Sequence, residues 1–326
     1  MSLADDVRTG LTSSPKTLPP HILYDEEGTR LYERITELPE YYLTRAEREI
    51  FLARAPEIVA RIARDARAPL SVVELGAGSA SKTEVLLRAV LERQRRCLYL
   101  PVDVSKTALA EAERRLRAEL PLATVRPLRM TYEQSIRVLA DVPSPRLVVF
   151  IGSSVGNLPD GEASTLLARI PEALRGDTWL LLGTDLRKNP NVLRAAYDDR
   201  AGVTAAFNKN LLVRINRELG GTFDLDRFRH VARWNEAASR IEMHLESTVA
   251  QEVRVDRLSL RLRMAAGETI HTESSAKYDL PRVERLLAGG HFRLEQTYYD
   301  AEHRYALHLA RARPGLTSER RLYAST

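Results

Sequence analysis

The sequence predicts an α/β fold: a Rossmann-like, mostly parallel sheet that ends in an antiparallel hairpin, accompanied by a second, α+β domain. Three observations predict it. Short, continuously apolar runs recur from residue 71 with amphipathic helical stretches between most of them. A glycine-bearing turn joins the first of these runs to a helix. Two blocks, 1–65 and 188–277, break the rhythm.

The apolar runs are 71–75, 97–102, 124–128, 146–151 and 178–183, and the clearest helical stretches between them are 82–94 and 106–119. Apolar strands alternating with helices imply a parallel sheet covered on both faces. Two further runs, 292–299 and 305–310, flank Asp300-Ala301-Glu302-His303 and read as a hairpin closing one edge of the same sheet. Residues 1–65 read as mostly helical, with Thr44 and Glu47 spaced as a capping box. The block 188–277 mixes helix with strands at 240–248 and 253–264. It reads as an insertion that forms a lid together with the N-terminal block. The expected division is 47–187 with 278–313 as one discontinuous domain built on the alternating sheet, 1–46 with 188–277 as a lid domain, and 314–326 as a C-terminal tail. A two-part protein with its ligand cleft between the parts is the expectation.

Composition narrows the function classes. Apolar residues are 44% and charged residues 29%, as in ordinary globular proteins. The net charge of +5 is too mild to imply nucleic acid, and basic runs such as Arg93-Gln94-Arg95-Arg96 sit at helical spacing among Glu and Leu, as on a solvated face. Cys97 is the sole cysteine, which excludes an internal disulfide and a Cys-based metal site. The seven histidines lack metal-ligand spacing, so no metal is expected. Acids follow the first residues where a signal peptide needs bases, and no apolar stretch reaches membrane-spanning length. The expectation is a cytoplasmic monomer that takes a small molecule and engages neither nucleic acid nor membrane.

The turn Glu74-Leu75-Gly76-Ala77-Gly78-Ser79 lies between strand and helix, where Gly76 and Gly78 let backbone approach a ligand. Glu74 stands at the end of the first strand and Asp103 at the end of the second, where a ribose diol meets it. Ser81 replaces the third glycine of the dinucleotide fingerprint. A pyrophosphate cofactor wants that glycine, and S-adenosylmethionine does not. Lys82, at the helix start, is either a solvent-facing residue or a partner for the cofactor's carboxylate.

Longer runs are more specific. Leu38-Pro39-Glu40-Tyr41-Tyr42, Phe150-Ile151-Gly152-Ser153-Ser154-Val155-Gly156-Asn157, the run from Tyr197 through Asn208, Arg240-Ile241-Glu242-Met243 and Thr272-Glu273-Ser274-Ser275 together resemble the histidine Nα-methyltransferases of ergothioneine biosynthesis. The resemblance spans roughly residues 6–312. It implies a class I methyltransferase domain, S-adenosyl-L-methionine as cofactor, and three successive methylations of free histidine giving hercynine. By matched position it implies substrate contacts at Tyr24, Tyr32, Tyr41, Gly152, Asn157, Tyr197, Met243, Glu273, Ser274 and Ser275. It implies cofactor contacts at Gly76, Gly78, Lys82 and Asp103, with Thr131 and Tyr132 near the adenine. Thr131 departs from the family, which usually carries an acid there.

The residue types suit that chemistry. Tyr24 offers a proton relay for the amine, and Asn157 offers both acceptor and donors; these two are the candidate catalytic residues. Tyr24 reads equally as a packing aromatic, and Asn157 as a turn residue. Glu273 and Ser275, two apart on a strand, face one side and suit the two nitrogens of an imidazole. Met243 reads as pocket wall or core. Three alternatives remain. An N-methyltransferase of another aromatic amino acid leaves Glu273 facing an apolar ring, at a desolvation cost. An RNA-modifying enzyme needs a basic, aromatic-rich face, yet aromatics are 6% of the chain. A silent cofactor-binding protein has no need of the substrate residues.

Overall fold

A computed structural model describes residues 2–64, 68–174 and 176–313; the tail expected at 314–326 lies outside the described residues. In chain order, helix α1 (Leu3–Thr12) starts on a Ser2–Asp5 capping box. The two-residue strand β1 (Lys16–Thr17) and a 3-10 turn (Pro20–Leu23) lead to α2 (Glu26–Glu37), whose N-cap is Asp25. Next comes α3 (Leu43–Ile62). Helix α3 already begins at Leu43, so Thr44 lies within its first turn rather than at the cap, and the Glu47 side chain is buried against Gly152 and Tyr305; the capping box expected there does not form.

The alternating region follows: β2 (Ser71–Leu75), α4 (Thr83–Gln94), β3 (Cys97–Asp103), α5 (Lys106–Glu119), β4 (Ala123–Val125), β5 (Leu128–Arg129), α6 (Tyr132–Val138), β6 (Arg146–Phe150), α7 (Asp160–Ala173) and β7 (Thr178–Asp185). The single strand expected at 124–128 is two short ones, both paired with β3. The inserted region holds α8 (Pro190–Tyr197), α9 (Val203–Leu219), β8 (Phe228–Asn235), β9 (Arg240–Ser247), β10 (Gln251–Val255), β11 (Leu260–Met264) and β12 (Thr269–Ala276). The continuous strand expected at 253–264 is a hairpin, because the chain turns through Asp256–Leu258 with Ser259 in the left-handed region. The chain closes with α10 (Leu280–Gly289), β13 (Phe292–Tyr299) and β14 (Tyr305–Ala312).

Two compact units result: residues 2–42 with Lys188–Lys277, and Leu43–Arg187 with the described residues from Tyr278 onward. The first break falls at 42/43, where α3 begins, rather than at 46/47. The second unit is the α/β unit. Its sheet runs β13-β14-β7-β6-β2-β3-β4, parallel from β7 to β4 and antiparallel through the β14–β13 hairpin. β2, β6 and β7 are buried at every residue, as strands covered on both faces must be. Chain order reverses between neighbours β2 and β6. Ligands bind outside the carboxyl ends of strands at such a reversal, because the two following loops diverge there. Here those loops are Gly76–Gly78 and Gly152–Asn157.

The other unit is α+β. Its sheet runs β1-β12-β9-β8, with β1 parallel to β12 and the remaining pairs antiparallel. α9 packs against α2, β8 and β9. Asp199 holds the start of α9 through the backbone N–H groups of Val203 and Thr204, at 3.0 and 2.7 Å. Among the described residues no helix is long and apolar enough to cross a membrane.

Candidate active site

In the α/β unit the loop after β2 is built from backbone. Gly76 and Gly78 have φ of +73° and +51°. The N–H groups of Gly76 and Ala77 donate to Val102 O, at 2.9 and 3.0 Å, which bends the loop over the end of β3. A Cβ on Gly76 would lie 2.9 Å from the Tyr132 hydroxyl, whereas one on Gly78 would meet nothing within 4 Å. Gly76 is thus a packing requirement, whereas Gly78 borders open space that leaves its backbone accessible. Asp103 Oδ2 accepts from Gly78 N–H at 2.9 Å and Oδ1 from Ser105 N–H at 2.8 Å. Each oxygen keeps a further acceptor site, so a diol fits. The Tyr132 ring meets Phe150 edge-on at 5.1 Å. Thr131 is exposed and serves as the N-cap of α6, its hydroxyl accepting from Gln134 N–H at 3.4 Å.

Glu74 plays a different part from the strand-ending acid expected. Leu75 ends the strand, and Glu74 points into the unit, accepting from Thr83 Oγ1 at 2.6 Å and from the Tyr99 hydroxyl. Burial pushes its carboxyl up to about 7 against those hydrogen bonds. It ties β2 to α4 and β3.

The loop after β6 is held by a residue that sequence reasoning missed. Glu47 on α3 is fully buried. Its Oε1 accepts from Gly152 N–H at 2.8 Å and from the Tyr305 hydroxyl, and its Oε2 pairs with Lys82. Tyr305 Oη in turn accepts from Ser153 N–H at 2.9 Å. Only a glycine at 183 admits this cluster, since a Cβ there would sit 2.7 Å from Glu47 Oε1. The available signal was an acid inside the apolar stripe Leu43, Ala46, Ile50 and Phe51. Glu47 thereby sets Lys82 beside Gly152, where a Cβ would lie 3.5 Å from Nζ. Asn157 ends the short 3-10 turn of the same loop, half-buried.

The α+β unit gathers aromatic candidates from distant positions. Tyr24 meets Tyr32 edge-on at 5.6 Å, Tyr32 meets Tyr41 at 6.4 Å, and Tyr41 meets Tyr197 at 6.3 Å. Phe207, unforeseen, braces Tyr24 and Tyr32 at 5.5 and 6.2 Å. Burial, with the neighbouring tyrosines, holds the Tyr41 hydroxyl well above its usual range, hence neutral. Asp25 fixes the turn carrying Tyr24: it accepts from Gly28 N–H, Asn210 Nδ2 and Arg217 at 2.8, 2.7 and 2.8 Å. At the far end the Tyr197 hydroxyl lies 2.7 Å from Ser275 Oγ.

Glu273, 7% exposed, stands directly opposite Met243 across the β12–β9 pair, and Ser275 stands opposite Ile241. A bulge between His271 and Glu273 sets this register. Bulges re-aim side chains in this way. Glu273 and Ser275 therefore share the face of Met243. Ser274, expected among the substrate contacts, turns to the opposite face, where its Oγ meets His271 Nε2 at 2.9 Å; strand alternation removes its side chain from the group.

Each unit thus supplies a different chemistry: one an open glycine turn with an acid and a lysine, the other an aromatic wall ending in hydroxyls and a buried carboxylate. Residues 3–312 match the family described as histidine-specific methyltransferase, SAM-dependent. The chain is 42% identical over 309 residues to a histidine N-alpha-methyltransferase of Mycolicibacterium smegmatis, covering 95% of this chain and 94% of that protein. It is 40% identical over 312 residues to the protein of the same name from Mycobacterium tuberculosis, covering 95% of each. Ergothioneine biosynthesis protein 1 of Neurospora crassa is 29% identical over 320 residues, covering 93% of this chain and 35% of that protein.

Proposed function

The chain belongs to the family of histidine-specific, S-adenosylmethionine-dependent methyltransferases, and we propose that it converts free L-histidine to Nα,Nα,Nα-trimethylhistidine (hercynine) with the residues described above. The reaction is a step of ergothioneine biosynthesis. The observation that carries the substrate reading is Glu273, a buried carboxylate sharing a sheet face with Met243 and Ser275. A carboxylate on that face can accept a hydrogen bond from a ligand, and an imidazole N–H is a fitting donor.

S-adenosylmethionine supplies an electrophilic methyl group on a sulfonium. The residues present fit it. Gly78 borders open space with its φ positive, Asp103 keeps acceptor capacity for a ribose diol, and Lys82 offers a cation for a carboxylate. Tyr132 lies over Gly76 and lines the same turn.

The protein's own work is to position an amine and keep it neutral. Methyl transfer needs a lone pair aligned behind the methyl carbon, and alignment alone supplies much of the acceleration. A nearby sulfonium and a desolvated site both disfavour the ammonium form. Asn157, at the end of a loop fixed by Glu47, holds the amine. Tyr24, braced by Tyr32 and Phe207, takes the departing proton and passes it on. Tyr41 and Tyr197 wall the site, and Glu273 with Ser275 grips the ring. The enzyme works in the cytoplasm as a monomer and takes neither nucleic acid nor membrane as a partner.

The test is incubation with isotopically labelled S-adenosylmethionine and each free amino acid, and separately with RNA, read by mass spectrometry. Mono-, di- and trimethylated histidine is the expected outcome. Methylated RNA with unmodified histidine overturns the reading.

A further inference from the structure

Lys277 has no part in the mechanism above, yet it is among the most deeply buried residues of the α+β unit, at 1% exposed. Its Nζ lies 2.9 Å from the Tyr197 hydroxyl and 2.9 Å from Ser275 Oγ, which are themselves 2.7 Å apart. It also sits 4.5 Å from the centroid of the Tyr197 ring. Burying an ammonium costs several kcal/mol unless its surroundings repay it. Three polar atoms in one closed triangle are therefore a constructed feature.

An ammonium only donates. Both hydroxyl oxygens must accept from it. The two hydroxyls then share one proton between themselves, and the proton of the other is turned out of the triangle. Either assignment of the shared proton leaves the same result: one O–H directed outward, with a cation behind it. We propose that Lys277 is a positioning residue that holds the Tyr197–Ser275 pair as a hydrogen-bond donor, so that the pair selects an acceptor atom on the substrate. The inference rests on reading Tyr197 and Ser275 as substrate contacts. Beside them on β12, Glu273 is an acceptor facing the same side. Donor and acceptor side by side match a ligand presenting one of each. Histidine carries its acceptors in two places, the unprotonated ring nitrogen and the carboxylate, and the chemistry at the hydroxyl pair is the same for both.

The experiment uses the full chain with Lys277→Met, which keeps the length of the side chain without its donors, and Lys277→Gln, whose amide both donates and accepts. Binding of L-histidine and of L-histidinol, which lacks the carboxylate, is measured by calorimetry with S-adenosylhomocysteine present. Lys277→Met is expected to weaken histidine about tenfold, the size of one directed hydrogen bond. Lys277→Gln is expected to fall between it and the parent. Cofactor affinity should stay within about twofold, and kcat at saturating histidine should fall less than the affinity does. If histidinol weakens by the same factor, the acceptor is the ring nitrogen. If histidinol is unaffected, the acceptor is the carboxylate.

Unchanged histidine affinity in both variants overturns the proposal, as does a parallel loss of cofactor affinity in both, the mark of a structural role alone. Should Lys277→Met fail to fold, Lys277→Gln carries the test. Ser275→Ala and Tyr197→Phe separate the two levels. If these also leave histidine affinity unchanged, the reading of the substrate site has failed; if they weaken it while the Lys277 variants do not, only the role of Lys277 has.

Discussion

The loops of the α/β unit and the cluster of the α+β unit are built in different ways. Around Gly76–Gly78 and Gly152, the contacts run through main-chain N–H groups, and the acids Asp103 and Glu47 hold those groups in place. Along the line from Tyr24 to Ser275, rings touch rings and a hydroxyl pair ends the row. Backbone binding tolerates many side chains but demands glycine at Gly76, Gly78 and Gly183. Side-chain binding tolerates ordinary backbone but demands exact residue types at scattered positions. Damage to an acid in the first region should therefore spread through a whole loop, whereas damage in the second should stay with one ligand.

The sharpest way to break this contrast is Glu47→Ala. It strips partners from Gly152 N–H, the Tyr305 hydroxyl and Lys82 at once. Removing one member of a buried ionic cluster costs about 3–5 kcal/mol. A marked fall in the melting temperature is expected, together with weaker cofactor binding. A variant that melts like the parent would mean the loop after β6 holds itself.

Asp103→Ala comes next. The substitution removes the acceptor expected for the ribose diol and frees two backbone N–H groups of the turn. Charge-assisted hydrogen bonds are worth about 1.5–3 kcal/mol each, so cofactor affinity should drop by about two orders of magnitude. Histidine affinity measured in the same variant should move far less. Calorimetry returning an unaltered cofactor affinity would remove Asp103 from the cofactor's contacts.

Glu273→Ala sharpens the comparison from the other side. Loss of one charge-assisted bond should weaken histidine by about 10–150-fold with cofactor binding nearly intact. Competition between histidine and tryptophan should also shift toward tryptophan, because desolvation of the carboxylate then no longer penalises an apolar ring. A preference ratio that stays put would deny Glu273 its place in specificity.

The smallest effect is expected at Thr131. Aspartate caps a helix as well as threonine does, so Thr131→Asp should leave α6 intact. The added carboxylate should tighten cofactor binding by about threefold, within the range of an exposed polar contact. Weaker binding in this variant would mean that the adenine is held elsewhere.

The chain sequence by itself determined the class of fold. The apolar runs at 71–75, 97–102, 146–151 and 178–183 lie in strands of one sheet, and the terminal hairpin adds to its β7 edge. Periodicity and turn chemistry are local properties, and a local reading reaches them. The glycine turn and Asp103 were legible for the same reason, since strand, turn and helix follow one another within a short stretch. The tertiary structure alone decided the rest. Glu47 looked like a helix cap because its partners, Gly152 and Tyr305, lie far away in sequence. Ser274 was carried by the resemblance alone, and its contact with His271 on the opposite face appeared only in the folded sheet. The bulge between His271 and Glu273, which aims Glu273 at the face of Met243, leaves no mark in the alternation of residue types. Lys277 and Phe207 carried no signal of their own in the sequence, and folding brought Tyr197, Ser275, Tyr24 and Tyr32 against them. Propensity and pattern act over a few residues, whereas a buried charge or a pocket wall is defined by whichever distant groups the packed chain brings within hydrogen-bond reach.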